Sequence, residues 1–157
     1  MAQALRSTRV LTADGLNAAT LIVDGGKIAA IRAWSDGGTG QCHEFDDLLL
    51  LPGLVDSHVH INDPGRDWEG FNTATRAAAA GGVTTLIDMP LNCVPETINV
   101  AALEAKRAAA RGNAWVDWAA WGGVVHGNAA ELPDLAQAGV PGFKCFMIHS
   151  EIGRAHV

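Results

Sequence analysis

From residue 52 onward, short aliphatic segments alternate with helix-forming segments, and this alternation restricts the folds that the chain can adopt. The predicted elements are strands at residues 54–59, 83–88, 115–121 and 140–148 and helices at residues 68–80, 99–111 and 129–138. Glycines follow each predicted helix, as is common at helix ends. A repeated strand–helix order predicts a parallel sheet covered by helices. We therefore expect the α/β class over residues 52–150.

Residues 1–51 have a different pattern, in which runs of Val, Ile, Leu and Thr are separated by glycine-containing turns. Asp24, Gly25, Gly26 and Lys27 lie between two apolar runs, which is typical of a β-hairpin. We expect a small antiparallel β unit over these residues, forming part of a β-sandwich.

Two histidines lie at the end of the first predicted strand of the second region, one inside it and one directly after it. His58 and His60 are two residues apart, so on a strand their side chains share one face with that of Asp56. Two imidazoles in this arrangement can reach one metal ion. A chance pair at the surface or in the core is the alternative, and it is the more common case for such a pair alone. The position favours a metal site, because the pair ends a predicted buried strand just before a loop, where α/β barrels build their sites.

Lys144 lies inside the last predicted strand, next to Phe143 and close to Phe146. Burying an ammonium group is costly, so a lysine at a strand end whose ammonium reaches water is one interpretation. The other interpretation is chemical. A neutral amine can add carbon dioxide to become a carbamate, and the two oxygens of a carbamate can bridge two cations.

Five motifs occur along the chain: the His-x-His pair and the segments at residues 62–66, 81–85, 88–90 and 142–146. Together they resemble the cyclic amidohydrolases, a group of the amidohydrolase superfamily that includes allantoinase, dihydroorotase and hydantoinase. The resemblance implies a β-sandwich combined with a (β/α)8 metallohydrolase barrel of the TIM type. Such a barrel takes about 250 residues. We therefore expect residues 52–150 to be the N-terminal half of a barrel and the chain to be an N-terminal fragment.

By this resemblance, His58 and His60 bind one metal ion, and Lys144 bridges two ions as a carboxylated lysine. The ions are expected to be two Zn²⁺ per subunit, or another divalent metal. A metal-bound hydroxide then attacks the ring amide, and an aspartate acts as general acid–base. That aspartate and the remaining ligands are expected outside this chain, so we assign no catalytic residue within it and expect the chain alone to be inactive.

Within the group, the allantoinases are the most similar. Asn62 stands where dihydroorotases usually carry an arginine that holds the substrate carboxylate, and the segments at residues 68–70, 89–92 and 121–125 also resemble allantoinase. The implied reaction is hydrolysis of allantoin to allantoate in purine catabolism, with Asn62 and Asn92 contacting the substrate. Dihydroorotase activity, hydantoinase or dihydropyrimidinase activity, and a non-catalytic assembly homologue are the alternatives.

Charge and composition exclude some classes of partner, while the small-molecule substrate is implied by the resemblance. The net charge is −6 without a basic cluster, which argues against nucleic acid and against an anionic membrane surface. No apolar run approaches the roughly 18–20 residues of a membrane span. The N-terminal segment lacks the apolar centre of a signal peptide, and the three cysteines have no CxxC spacing, so we expect a cytoplasmic protein. A homotetramer is implied by the resemblance.

The final segment, residues 151–157, fits no motif of the group. It can be read as the translation of a common sequencing adapter. We therefore expect this tail to be non-native.

Overall fold

The computed structural model of the protein describes residues 2–37 and 40–148. Its internal contacts divide the chain into two compact units, Met1–Pro52 and Gly53–Val157. The tail that the sequence marks as non-native, residues 151–157, lies outside the described residues. No helix within the described ranges has the length and apolar character that crossing a bilayer requires.

The first unit is a five-stranded sheet built around strand β1. Strands β1 (Gln3–Thr12), β2 (Gly15–Asp24) and β3 (Lys27–Ala33) pair antiparallel in chain order. Gly25 and Gly26 join β2 to β3 with φ angles of 57° and 76°, the left-handed conformation that a two-residue hairpin turn requires. The predicted hairpin is confirmed.

Two short strands correct the prediction that this unit is antiparallel. Strands β4 (Gln41–Glu44) and β5 (Leu49–Leu50) both pair with β1 in parallel. After β3, which lies at one edge of the sheet, the chain returns to β1 on the side opposite β2. A parallel neighbour needs a crossover connection rather than a tight turn, so no local turn signal in the sequence reveals it.

The second unit alternates strands and helices as predicted. Its elements are β6 (Leu54–Val59), α1 (Gly70–Ala80), β7 (Val83–Asp88), α2 (Val100–Ala110), β8 (Asp117–Ala120), β9 (Gly122–Val124), a 3-10 turn (Ala129–Glu131), α3 (Leu132–Gln137) and β10 (Phe143–Cys145). Strands β6, β7 and β8 form one parallel sheet in chain order, and β9 pairs with β10 in parallel. All strand pairs of this unit are therefore parallel, which confirms the predicted α/β order.

Two predicted elements of this unit differ in detail from the structure. The third predicted strand, residues 115–121, is shorter in the structure, where β8 covers Asp117–Ala120 and pairs with β7. A further short strand that was not predicted, β9, follows directly and pairs with β10. The third predicted helix starts with the 3-10 turn and becomes α-helical only at Leu132, next to Pro133. Proline suits the first turn of a helix, because the N–H that it lacks would have no partner there.

The core of the unit lies between the parallel sheet and helices α1 and α2. Phe71 of α1 and Leu86 of β7 are buried together with Ile61 and Ala110. The Phe71 ring meets the Trp118 ring edge-on, with 4.7 Å between the ring centroids. Edge-to-face contacts of this kind add to the burial of the two rings. The helices are thus fixed on one face of the sheet, and the loops after β6 and β7 begin at its carboxyl edge.

The prediction that residues 54–59 form a buried strand is half wrong. The strand is present as β6, but its first five residues are exposed, including Leu54 and Val55 at 56% and 63%. Among the described strands β6 has one neighbour, β7, so it is an edge strand. An apolar run predicts a strand covered on both sides, whereas the exposure of an edge strand depends on which elements surround it.

Helix α2 begins with a side-chain cap that offers a test of local stability. The Oδ1 atom of Asn99 accepts the N–H of Ala102 at 2.9 Å. We predict that Asn99→Ala in the whole protein lowers the free energy of unfolding by about 1 kcal/mol, because this N–H loses its acceptor. Asn99→Ser keeps an oxygen acceptor and should unfold as the wild type does. Chemical denaturation followed by circular dichroism measures both, and an unchanged Asn99→Ala protein would contradict the capping role.

Candidate metal centre

The two histidines predicted as metal ligands lie side by side at the carboxyl end of β6. The ring centroids of His58 and His60 are 5.5 Å apart, and the ring planes are inclined by 44°. Both side chains are exposed. Two imidazoles that bind one tetrahedral zinc ion have ring centres about 5 Å apart, because each nitrogen lies about 2 Å from the metal. The pair therefore fits two ligands of one zinc ion.

The backbone that follows β6 is held at three successive points. The carbonyl of Val59 accepts the N–H of Met89 at 2.8 Å, which extends the pairing of β6 with β7 by one bond. The N–H of Ile61 is bound at 2.8 Å by a carboxylate oxygen of Asp88, and the carbonyl of Ile61 accepts the N–H of Gly70 at 3.0 Å. The segment that carries His60 is thus connected to β7 on one side and to the start of α1 on the other.

Asp88 is the centre of a buried polar network. Its second carboxylate oxygen pairs with the ammonium of Lys106 in α2, and Lys106 also donates to the carbonyl of Met89 at 3.0 Å. The side chains of Asp88 and Lys106 are 1% and 0% exposed. Burial raises the pKa of Asp88, while the ammonium of Lys106 and the N–H of Ile61 oppose that rise. The sequence analysis gave Asp88 no ligand role, and here its carboxylate serves packing and hydrogen bonding.

Lys106 is the residue that sequence reasoning missed. It lies on the face of α2 that also carries the buried residues Ala102, Leu103 and Ala110. Lys106 is four residues after Ala102, three after Leu103 and four before Ala110, and this spacing is the signature of one helix face. A lysine on the buried face of an alanine-rich helix was therefore the available signal, since a buried ammonium requires a partner.

The two asparagines predicted to contact substrate are brought together with His60. His60, Asn62, Trp68, Glu69 and Asn92 line a cavity of about 400 Å³. Asn62 and Asn92 both have left-handed backbones, with φ of 64° and 63°. Asparagine tolerates this conformation better than most other residues. Two loops, one after β6 and one after β7, thus place an amide side chain each beside the same cavity.

Asn62 has one satisfied and one unsatisfied amide atom. Its Nδ2 donates to the carbonyl of His60 at 3.0 Å. Its Oδ1 is buried and accepts no hydrogen bond from the described residues, and the side chain as a whole is 5% exposed. A buried carbonyl oxygen without a donor is costly to the fold.

Lys144 is half-buried on β10. It lies on β10 opposite Gly123 of β9, and its ammonium is 4.9 Å from the centroid of the Phe146 ring. Strand β10 has one neighbour among the described strands, β9. The ring of Phe143 approaches Gly122, on the side where Leu135 of α3 also lies, so the alternation along β10 directs Lys144 to the opposite side.

The described residues bring the histidine pair together but hold no complete metal site. No group of three or more His, Cys, Asp or Glu side chains within them has the arrangement of a metal centre. Asp56, which shares the strand with the pair, accepts the N–H of His58 at 3.0 Å through Oδ1. His58 and His60 belong to the sheet of β6, whereas Lys144 belongs to the separate pair β9–β10.

Sequence comparison connects the chain to one family and to a set of named enzymes. Residues 49–151 match the model of the amidohydrolase family. The mitochondrial allantoinase of Aquarana catesbeiana is 46% identical over 151 residues, covering 94% of this chain and 31% of that protein. An allantoinase of Streptomyces avermitilis is 51% identical over 152 residues, covering 94% of this chain and 34% of that protein. The chain thus spans about a third of the length of these curated relatives.

Solved structures give the same family relationship at the level of the fold. The L-hydantoinase (dihydropyrimidinase) of Arthrobacter aurescens superposes with a TM-score of 0.85 at 33% identity, covering 98% of this chain and 35% of that chain. The dihydropyrimidinase of Brevibacillus agri gives a TM-score of 0.83 at 29% identity, covering 99% and 35%. These neighbours confirm the predicted fold class, the first part of an amidohydrolase α/β barrel preceded by a small β unit.

The family match covers most of the second unit, including the histidine pair, the Asp88 network and Lys144. The named relatives match nearly the whole chain at more than 40% identity. The chain therefore belongs to the amidohydrolase family.

Proposed function

We propose that the whole protein hydrolyses a ring amide of a small cyclic ureide, and that its substrate is allantoin, which it opens to allantoate. The proposal follows the names of the relatives, which are allantoinases from an amphibian and a bacterium. The observation that carries it is the cavity beside His60, which has two asparagine side chains at its wall. A metal-binding pair next to a small polar cavity suits a compact substrate rich in N–H and carbonyl groups.

His58 and His60 would hold one metal ion, and Lys144, as a carboxylated lysine, would bridge it to a second. The spacing of the two rings supports the first part of this assignment. The half-buried side chain of Lys144, on the side of β10 opposite the Phe143 ring, supports the second part. Two Zn²⁺ ions, when bound, would supply Lewis acidity and a hydroxide at neutral pH.

Asn62 would orient the substrate from the wall of the cavity. Its side chain lines the cavity, so its amide would make a polar contact with a ring or ureido group of allantoin. Its Nδ2 is already bound to the carbonyl of His60, which fixes the direction of the amide. Asn92 faces the same cavity from the loop after β7 and would make a second polar contact.

The acid–base aspartate of the proposed reaction is assigned to the part of the whole protein beyond these residues. Asp88 is unsuited to that role, because both of its carboxylate oxygens are occupied and its side chain is buried. Asp56 has an oxygen bound to the backbone of its own strand. We therefore assign no catalytic acid or base within this chain.

Related activities are the second candidate. Two of the solved structures that match the chain are named hydantoinase and dihydropyrimidinase. These names refer to cyclic amides other than allantoin. Their identity to this chain, 33% and 29%, is lower than the 46% and 51% of the two allantoinases. A non-catalytic homologue that keeps the fold for assembly would have no use for the histidine pair or for Lys144.

We propose that the whole protein is a homotetramer that works in the cytoplasm without nucleic acid or membrane partners. The name of one relative places that relative in mitochondria. A small-molecule substrate is the partner that the family supports.

We predict that Lys144→Ala in the whole protein loses the metal pair and allantoin hydrolysis, because a bridging carbamate can no longer form. Cys145→Ser is the matched control on the neighbouring residue of β10, which points to the other side of the strand. Bound zinc, measured by atomic absorption, and allantoin turnover are determined for both variants. A short carboxylic acid should restore part of both properties to Lys144→Ala. Two zinc ions per subunit in Lys144→Ala would contradict the bridging role.

We also predict a strong preference for allantoin over dihydroorotate in the whole protein. Asn62 lacks the cationic fork that holds a carboxylate, and a charge-assisted contact of this kind contributes about 3 kcal/mol, or roughly 100-fold. The ratio of kcat/KM for the two substrates measures the preference. Equal efficiency on both would mean that Asn62 does not determine the choice.

The role of the Asn62 amide itself can be tested without disturbing the backbone. Glycine adopts the left-handed conformation of this position freely, so Asn62→Gly removes the amide alone. We predict that Asn62→Gly reduces kcat/KM for allantoin by roughly 10–100-fold, the effect of losing a hydrogen bond worth about 1.5–3 kcal/mol. Zinc content should stay unchanged, and a variant with wild-type kinetics would remove Asn62 from the substrate site.

A further inference from the structure

We propose that Asp88 is a positioning residue for the metal-binding end of β6, and that it acts through the backbone of Ile61 while Lys106 holds its carboxylate. The inference rests on the proposed role of His60 as a metal ligand. In this view the buried pair of Asp88 and Lys106 does more than fill the core. It fixes the direction of the chain immediately after His60, where the chain leaves the strand.

The position of His60 makes such support necessary. Regular pairing between β6 and β7 ends where the N–H of Met89 binds the carbonyl of Val59, so His60 lies just beyond the ladder. The residue after Ile61, Asn62, already has a left-handed backbone with φ of 64°. The chain thus turns sharply within two residues of a proposed ligand. A small change in this turn would move the imidazole of His60 away from that of His58.

The bond from Asp88 ties this turn to the sheet. The contact between Asn62 and the carbonyl of His60 is local, and the contact between Gly70 and the carbonyl of Ile61 closes the loop upon itself. The contact at 2.8 Å between the Ile61 N–H and Asp88 instead comes from the end of the neighbouring strand. This hydrogen bond therefore holds the segment that carries His60 in a fixed position relative to β7.

Lys106 completes the arrangement by fixing the carboxylate. It pairs with the oxygen of Asp88 that does not contact Ile61, and it donates to the carbonyl of Met89, the residue after Asp88. A carboxylate held at both oxygens cannot rotate away from the Ile61 N–H. Loss of Lys106 alone would leave a buried carboxylate without its counter-charge, which is strongly destabilising. A single variant would therefore change both the stability of the protein and the position of His60, and the two effects could not be separated.

Two charge-neutral double variants separate the roles. Asp88→Asn with Lys106→Met removes both charges but keeps an oxygen that can accept the Ile61 N–H. Asp88→Leu with Lys106→Met removes both charges and that acceptor, with side chains of similar size. Replacing a buried ion pair by apolar residues is often tolerated, so both proteins are expected to fold. The two variants differ at one atom position that matters here, the acceptor for Ile61.

The experiment uses the whole protein and measures two properties besides turnover. Zinc affinity is determined by competition with a chelating dye, and hydrogen exchange reports protection of the Ile61 amide. The leucine variant should lose that protection and bind zinc roughly 10–100-fold more weakly, the usual effect of removing support for a ligand. The asparagine variant should keep both properties close to the wild type. Thermal unfolding tests whether the two variants are equally folded, which is the expected result.

The outcomes distinguish this inference from the proposed function. Equal zinc affinity of the two double variants, whether both are strong or both are weak, would overturn the positioning role, because the acceptor for Ile61 would then make no difference. A wild-type protein that binds no zinc would overturn the proposed function and, with it, the role of His60 on which the inference rests.

Discussion

The ion pair between Asp88 and Lys106 is the interaction on which the second unit depends most. It lies where a strand, a helix and the loop after the preceding strand meet, and water does not reach it. Charges in such a place are costly unless they are paired and fully hydrogen-bonded. Here the carboxylate satisfies one ammonium and one backbone N–H, and the ammonium satisfies a carbonyl as well. Helix α2, strand β7 and the end of β6 are thereby held at one point.

The order of elements in this unit was predictable because each element can be recognised from the sequence of its own segment. Apolar segments of strand length alternate with segments of helical period, and glycines mark the ends, so each element can be recognised without its neighbours. The parallel pairing follows from the alternation itself. Strands β4 and β5 show the limit of this reasoning, because their partner is β1 and the pairing depends on a crossover rather than on a turn.

Parts of the site formed by residues close in sequence were predictable, whereas parts formed by residues from different elements were harder to predict. His58 and His60 share a strand, so their spacing alone places the two rings together. The meeting of Asn62 with Asn92 depends on two loops that follow different strands, and only the motif resemblance pointed to both. Lys106 could not be assigned from a local pattern, because its partner Asp88 lies on another element and meets it only across the core. The exposure of β6 and of Lys144 depends on neighbours beyond those that a single segment can reveal.

The left-handed backbones of Asn62 and Asn92 have a consequence for how this site can change over evolution or by engineering. At each position the identity of the residue determines two properties: the polar group at the wall of the cavity and the backbone conformation of the loop. Branched or bulky side chains are strained at such angles. A new specificity that needs a larger side chain at position 62 therefore requires a reshaped loop as well. Exchange of that loop as one piece is consequently a more productive route to a new substrate than replacement of single residues.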